Sequence, residues 1–292
     1  MKQLTARAPA KVNLHLEVIQ RRPDGYHEIE TVFQAIDLWD HLRFRRNKGP
    51  IHVRCDHPAV PTDRTNLCHR AAKLLKSRFG VEGGVEIQLE KNIPVAAGLG
   101  GGSSDAAATL LALDRLWNLD LEREELLDLA VRLGADVPFF IEGGTQVGRG
   151  IGENLTPVGS SGMGVFLLIT LPIAISTAWV YEHLRMGLTP SSPKVNLQTT
   201  KALLSRFPER QWPGFNRLGD VVFPAYPQLH RLYLDLQDTQ PWLAMLSGSG
   251  PSIFAVYSDE HEAERAREAV APPEAFSWIG GSTRQGIELR EA

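Results

Sequence analysis

From Lys11 to Ile19 apolar and polar residues alternate: Val12, Leu14, Leu16 and Val18 fall on one side, Lys11, Asn13, His15 and Glu17 on the other. A period of two belongs to a strand with one buried and one polar face. Leu4–Ala8 precedes it across a proline, and Ile29–Ile36, Leu42–Val53 and Val85–Leu89 are further strand-like stretches. At Leu67, Ala71, Leu74 and Leu75 the spacing becomes helical, predicting a helix over Leu67–Phe79 after a loop at Pro58–Asn66. Another helix runs to about Trp117. The next, Leu121–Leu133, has Asp120 as its cap, Glu122, Glu124 and Glu125 in its first turn, and Gly134 as its stop. Gly143–Glu153 is a glycine-rich hairpin, and Leu155–Gly164 is the best candidate boundary. Beyond it come a strand at Val165–Ile169, a helix capped by Ser176 and Thr177, and helices at Asn196–Phe207, near Asn216–Val222 and at Gln228–Leu236. A strand at Ile253–Tyr257, a charged helix at Asp259–Val270 and strand with turn at Trp278–Leu289 complete the chain. There is no internal repeat.

The stretch Pro94–Thr109, PVAAGLGGGSSDAAAT, interrupts this alternation and carries the clearest chemistry. Gly98, Gly100, Gly101 and Gly102 let the backbone bend tightly and bring its N–H groups close to an anion. Ser103, Ser104 and Asp105 are cap types, and Ala106–Ala108 are strong helix formers. A glycine loop entering a helix N-terminus suits a phosphate. It is not the Walker loop, which needs Gly-Lys-Ser/Thr, because no lysine lies between Lys91 and Lys194. Nor is it the dinucleotide fingerprint, whose third glycine is Ser103 here and whose following strand is replaced by a helix.

Composition narrows the setting without naming the chemistry. With 292 residues, 43% hydrophobic and 22% charged, the chain is an ordinary globular protein with room for two domains. A formal net charge of −3 offers no surface for nucleic acid or acidic membrane. Cys55 and Cys68 make no disulfide framework, and their spacing to His57 and His69 matches no common zinc pattern. No apolar core separates Lys2, Arg7 and Lys11, so no secretory signal is read. The longest apolar run, Gly162–Ile175, is broken by Thr170 and Pro172 and falls short of the ~20 residues of a membrane span. The expectation is a soluble cytoplasmic protein.

The loop P-V-A-A-G-L-G-G-G-S-S-D-A resembles the nucleotide loop of the GHMP kinases, small-molecule kinases related to galactose, homoserine and mevalonate kinases. P-A-K-x-N-L at Pro9–Leu14, G-A-D-V-P-F-F at Gly134–Phe140 and the Ser/Gly loop within Ala244–Tyr257 resemble other motifs of that family, in its order. R-P-D-G-Y-H-E at Arg22–Glu28 resembles the branch whose acceptor alcohol carries a cytidyl-diphosphate group, in the non-mevalonate route to isoprenoid precursors. The hairpin at Gly143–Glu153 also resembles that branch, in which the corresponding loop touches the cytidyl-diphosphate part.

The resemblance implies an α+β protein of the GHMP kinase fold. Residues 1–158 would form a ribosomal protein S5 domain 2-like domain for ATP and catalysis, and residues 159–292 a ferredoxin-like, acceptor-binding domain. It implies Asp136 as catalytic base and Lys11 beside the reacting hydroxyl. ATP would lie on Pro94, Gly98, Leu99, Gly100, Gly101, Gly102, Ser103 and Ser104, with Asn66 of T-N-L reaching the nucleotide. Asn13 and Thr177 would hold the acceptor, with Tyr26 and Tyr181 stacking on cytosine and His27 bonding its edge. ATP and Mg²⁺ follow as cofactors, and no residue declares itself a metal ligand. Asp105 stands where relatives carry asparagine, and Asn216–Asp220 matches its family segment too loosely to take a role.

Blander readings remain open at this point. Asn66 and Asp136 suit plain helix caps, Tyr181 a core aromatic, and the Lys11–Glu17 face a solvated strand. A homoserine or mevalonate-type kinase would keep Lys11, the glycine loop and Asp136 without needing Tyr26 or His27. A binding relative without activity would keep only the cradle.

Overall fold

The structure, a computed structural model, describes residues 3–159, 162–184 and 212–291 together with 200, 202 and 207. The helix expected over Asn196–Phe207 lies outside these residues apart from those last three. The first part of the chain forms β1 (Gln3–Arg21), β2 (His27–Asn47), β3 (His52–Cys55), α1 (Leu67–Phe79), β4 (Gly84–Glu90), α2 (Gly101–Trp117), α3 (Arg123–Val131), α4 (Val137–Glu142), β5 (Thr145–Arg149) and β6 (Asn154–Pro157). The second part forms β7 (Val165–Thr170), α5 (Thr177–Glu182), β8 (Phe215–Asn216), α6 (Gly219–Ala225), α7 (Pro227–Asp238), β9 (Leu243–Leu246), β10 (Ser252–Tyr257), α8 (Glu260–Val270), β11 (Phe276–Gly280) and β12 (Glu288–Glu291).

β1 and β2 pair along their length as one antiparallel hairpin. The strand pattern breaks at Pro9, yet β1 runs through it. The register shifts between Pro9 and Ala10, and such an irregularity removes the need for the N–H that proline lacks. The strand expected over Leu42–Val53 divides, because β2 ends at Asn47 and β3 begins only after Gly49 and Pro50. In the first sheet the order is β12-β1-β2-β4-β3, with β5 on β2, β6 on β5, and β8 parallel to β1. α2 packs against it with Ala106, Ala107, Ala108, Leu110, Leu113 and Leu116 buried, so the alanines serve close packing as well as helix propensity.

The second sheet has the order β11-β7-β10-β9, all antiparallel, with α7 connecting β7 towards β9 and α8 connecting β10 to β11. That is the ferredoxin-like arrangement, and the α+β class expected from the sequence holds. One face of this sheet buries Leu167, Ile169, Ile253 and Ala255 beneath its helices. Phe166, Leu168, Phe254 and Val256 of the other face meet Val12, Leu14, Val32 and Ile36 of the first sheet.

The opposite face of β1 is covered as well, by the glycine loop, Asp136 and the Phe215–Arg217 segment. Lys11, Asn13, His15 and Glu17, set out in sequence like a solvated face, are all buried. The sheets are also not two consecutive lengths of chain, since β8 and β12 both return to β1. Among the described residues no helix is long and apolar enough to cross a membrane.

Candidate functional site

The glycine stretch links β4 to α2, and its geometry explains which glycines matter. Gly98 and Gly100 have φ of 75° and 71°, a left-handed backbone that side chains rarely adopt. A Cβ on Gly98 would stand 2.2 Å from the Ser247 carbonyl oxygen, and one on Gly100 would stand 2.6 Å from the Phe140 ring. α2 starts earlier than its cap-type residues suggest: Gly100 occupies the N-cap, and Gly101, Gly102, Ser103 and Ser104 already form the first turn. Ser103, Ser104 and Asp105 therefore cap nothing. The amides of Gly101, Gly102 and Ser103 have no acceptor within the helix, which leaves three donors at its positive end.

These amides face a cavity of about 900 Å³, within the size range of small-molecule sites. Lys11 and Asp136 line it as well. Lys11 N–H donates to Leu99 O at 3.0 Å, which ties β1 to the glycine loop. Its Nζ donates to Asn13 Oδ1 at 2.7 Å and stands 3.6 Å from Asp136 Oδ2 as an ion pair. Asn13 Nδ2 in turn donates to Thr31 Oγ1 at 2.8 Å, and Thr31 Oγ1 donates to His15 O at 2.6 Å. The ammonium is thus aimed by a buried chain of hydrogen bonds. Burial pushes the Lys11 pKa down, and the Asp136 carboxylate opposes that shift.

Asp136 sits at the N-cap position of α4 but makes no side-chain cap bond. Its carboxylate is about one-third exposed, facing Lys11 and the cavity. The capping reading fails there, whereas for Asn66 it succeeds. Asn66 Oδ1 accepts from Cys68 N at 2.8 Å, and its Nδ2 donates to Pro61 O at 2.7 Å, so both ends of the amide serve the start of α1 while it lines the cavity.

The far wall carries Tyr26, His27, Thr177 and Tyr181. The His27 and Tyr181 rings lie 5.0 Å apart at 30°, and Tyr26 is 61% exposed. Thr177 Oγ1 shares a hydrogen bond of 2.8 Å with Ser249 Oγ. Ser249 and Gly248 belong to the turn between β9 and β10, whose Ser247 Oγ donates to Gly98 O at 3.0 Å. One turn of the second sheet therefore touches both the cradle and the far wall.

Known proteins resemble this chain in sequence and fold. The models for the GHMP kinases N terminal domain and GHMP kinases C terminal match residues 66–144 and 200–273. A relative from Synechococcus sp., named 4-diphosphocytidyl-2-C-methyl-D-erythritol kinase, is 40% identical over 99% of this chain and 97% of its own. The chain belongs to the GHMP kinase family. Another relative of this kinase, from Geobacter sulfurreducens and of the same name, is 39% identical over 97% of the chain and 99% of its own. The crystal structure of 4-(cytidine 5'-diphospho)-2C-methyl-D-erythritol kinase superposes with a TM-score of 0.81 at 35% identity, covering 95% of the kinase and 98% of that chain. A homoserine kinase from Cytophaga hutchinsonii reaches 0.73 at 19% identity, covering 99% and 98%, which speaks for the fold alone.

Of the residues expected to meet the nucleotide, Pro94, Gly98, Gly100, Gly101, Gly102, Ser103 and Asn66 line the cavity of this kinase. Leu99 and Ser104 do not. Leu99 is buried and contributes its carbonyl to Lys11, and the Ser104 hydroxyl is buried with no hydrogen-bond partner. The expected acceptor residues Asn13, Tyr26, His27, Thr177 and Tyr181 all line the cavity.

Sequence reasoning missed the support beneath the cradle. Lys91, just ahead of the loop, is buried between Asp40 and Asp105, with its Nζ 2.8 Å from Asp105 Oδ2. Asp40 Oδ1 also accepts from the amides of Asn92 and Ile93 at 2.7 and 2.9 Å. The isolated lysine of L-E-K-N-I-P was the available signal. Asp105 is thus one wall of a buried ion network. Burial outweighs the attraction of Lys91 and pushes its carboxyl up to about 7. A raised carboxyl holds its proton more firmly in the folded chain, so it favours folding at low pH and loses that advantage as pH rises from 3.8 to about 7. Asp105→Asn is expected to gain stability relative to the parent across that rise. Parallel melting curves at each pH would rule the assignment out.

Proposed function

We propose that this kinase transfers the γ-phosphoryl group of ATP to the C2 hydroxyl of 4-diphosphocytidyl-2-C-methyl-D-erythritol, in the cytoplasmic non-mevalonate route to isoprenoid precursors. The observation that carries the reading is the Lys11–Asp136 pair, set between the glycine cradle and the Tyr26–His27–Tyr181 wall in one cavity. The names of the relatives agree with it. Residues 1–158 supply the cradle and the reacting pair, and residues 159–292 supply Thr177, Tyr181 and the Ser247–Ser249 turn.

The chemistry follows from the residues. A tertiary alcohol is a poor nucleophile near neutral pH, so its proton must go to a base and the charge on oxygen must be met. Asp136 accepts the proton, and Lys11, fixed by Asn13, stabilises the oxygen. The O–H bond breaks as the new O–P bond forms, and the bond from the γ-phosphorus to the bridging oxygen breaks, its electron pair leaving on ADP. The amides of Gly101–Ser103 hold the phosphates throughout. Among the described residues no cluster of three or more His, Cys, Asp or Glu side chains forms a metal cage. That fits Mg²⁺ arriving with ATP and bound mainly by phosphates, where it neutralises their charge. Asp136, about one-third exposed on the cavity wall, is the carboxylate beside the reacting pair that could meet it, whereas Asp105 is taken up by Lys91.

Screening ATP consumption against the cytidyl-diphosphate acceptor, homoserine and mevalonate tests the reading. Turnover only with the first supports it, and turnover with either of the others instead overturns it. Tyr26→Ala is expected to raise the acceptor KM by about 5–150-fold, the equivalent of one lost base-stacking contact, with the ATP KM almost unchanged. Tyr26 is exposed, so its removal disturbs little of the fold, and the KM reads binding when substrate release is fast relative to turnover. Tyr181→Ala acts in the same direction.

A further inference from the structure

The short strand β8 has no part in the chemistry above, yet its second residue reaches the turn that joins the two ligand walls. Asn216 Nδ2 donates to Leu246 O at 2.9 Å and to Gly248 O at 2.8 Å. Its Oδ1 accepts from Leu218 N at 3.0 Å. All three contacts are made by one side chain, which grips the backbone on both sides of Ser247. Two further bonds hold that turn: Ser247 Oγ to Gly98 O, and Ser249 Oγ to Thr177 Oγ1.

Asn216 is itself held from the catalytic strand. Phe215 and Asn216 pair in parallel with His15 and Leu16 of β1, and Arg217 N donates to Leu16 O at 2.8 Å. The Arg217 guanidinium closes a buried two-point contact on Glu17, at 2.7 and 2.9 Å. A fork of this kind fixes orientation as well as distance. Lys11 and Asn13 lie on the same strand as Glu17, so the chain of contacts runs from the reacting pair through β8 to the turn.

We infer that Asn216 is a positioning residue: it sets the Ser247–Ser249 turn against Gly98 and Thr177, and so fixes the spacing between the phosphate cradle and the acceptor wall. This rests on the function proposed above only for the identity of the acceptor. A side-chain amide suits the task because it gives two donors to two carbonyls while accepting a third bond.

The test uses the full chain with Asn216→Ser and the harsher Asn216→Asp. Serine keeps an acceptor for Leu218 N–H but cannot span both carbonyls, and aspartate faces those carbonyls with negative charge. In Asn216→Ser, hydrogen exchange of peptides covering residues 246–251 should quicken by about 5–50-fold, as expected for one or two lost hydrogen bonds. The acceptor KM should rise and kcat fall over the same range, with the ATP KM less affected. Ser249→Ala combined with Asn216→Ser should cost little more than the worse single variant, because both act through one turn. Unchanged exchange in the folded serine variant overturns the inference whether or not the acceptor is correct. So do unchanged kinetics, strictly multiplicative losses in the double variant, or unfolding of both variants. A wild-type protein inactive on the cytidyl-diphosphate acceptor sinks the function instead. The exchange measurement still decides Asn216.

Discussion

Asp136→Asn lowers kcat by about 10²–10⁴-fold, the contribution of a general base, and leaves ATP affinity in place. Asparagine keeps the size of the side chain and cannot take the proton of the acceptor alcohol. Helix α4 keeps its start, because the Asp136 carboxylate makes no cap bond to it, and the cost to the fold is confined to Lys11, whose buried ammonium loses its counter-charge. Lys11→Ala also lowers kcat, but with a structural cost, since it strips Asn13 Oδ1 of its donor. The two losses multiply to less than their product in the double variant, as both groups act on one hydroxyl. A pH signature separates the roles further. Burial lowers the Lys11 pKa and Asp136 raises it, so the alkaline loss of activity sets in at lower pH than an ordinary lysine would give. In Asp136→Asn the opposing charge is gone, and the residual activity should fall away at lower pH still. Near-normal turnover in the variant would move the base to another residue.

The sequence carried the site further than it carried the packing around it. A glycine run before alanines, a lysine and asparagine two apart on a strand, and an aspartate after a helix stop are all local patterns, and the cavity brings them together. What escaped depended on contacts between distant segments. The Lys11–Glu17 face alternates like a solvated one, and it is covered only when the glycine loop, Asp136 and the Phe215–Arg217 segment fold against it. Asp105 looks like a cap residue until Lys91 and Asp40 are folded against it, from 14 and 65 positions away in sequence. The start of α2 was misplaced because serine and aspartate are better caps than glycine, whereas here the left-handed turn at Gly100 decides the N-cap. Asn216 gave only a loose family match, set aside without a role, because its partners are backbone carbonyls, which no side-chain pattern records.

Gly98→Val is expected to abolish measurable ATP binding, a larger effect than the same change at any other glycine of the loop. Two costs coincide at this position. A left-handed φ of 75° costs a residue with a Cβ roughly 1–2 kcal/mol, more when it is β-branched. The added Cβ would also meet a backbone oxygen, Ser247 O, at 2.2 Å, and a backbone cannot rotate aside as a side chain can. Overpacking of this kind adds about 1–3 kcal/mol. Relief requires the glycine loop and the Ser247 turn to separate, which also breaks the Ser247 Oγ bond to Gly98 O and pulls Leu99 O away from Lys11 N–H. Gly101→Val is the informative contrast. Gly101 is already helical, and its Cβ would meet only the Ile93 side chain and Lys91 Nζ at 3.1 Å, so small shifts absorb it. Its ATP affinity should fall far less. Titration calorimetry of both folded variants with ATP checks the order, and equal losses would mean that space for phosphate, rather than the path of the backbone at Gly98, limits what the cradle accepts.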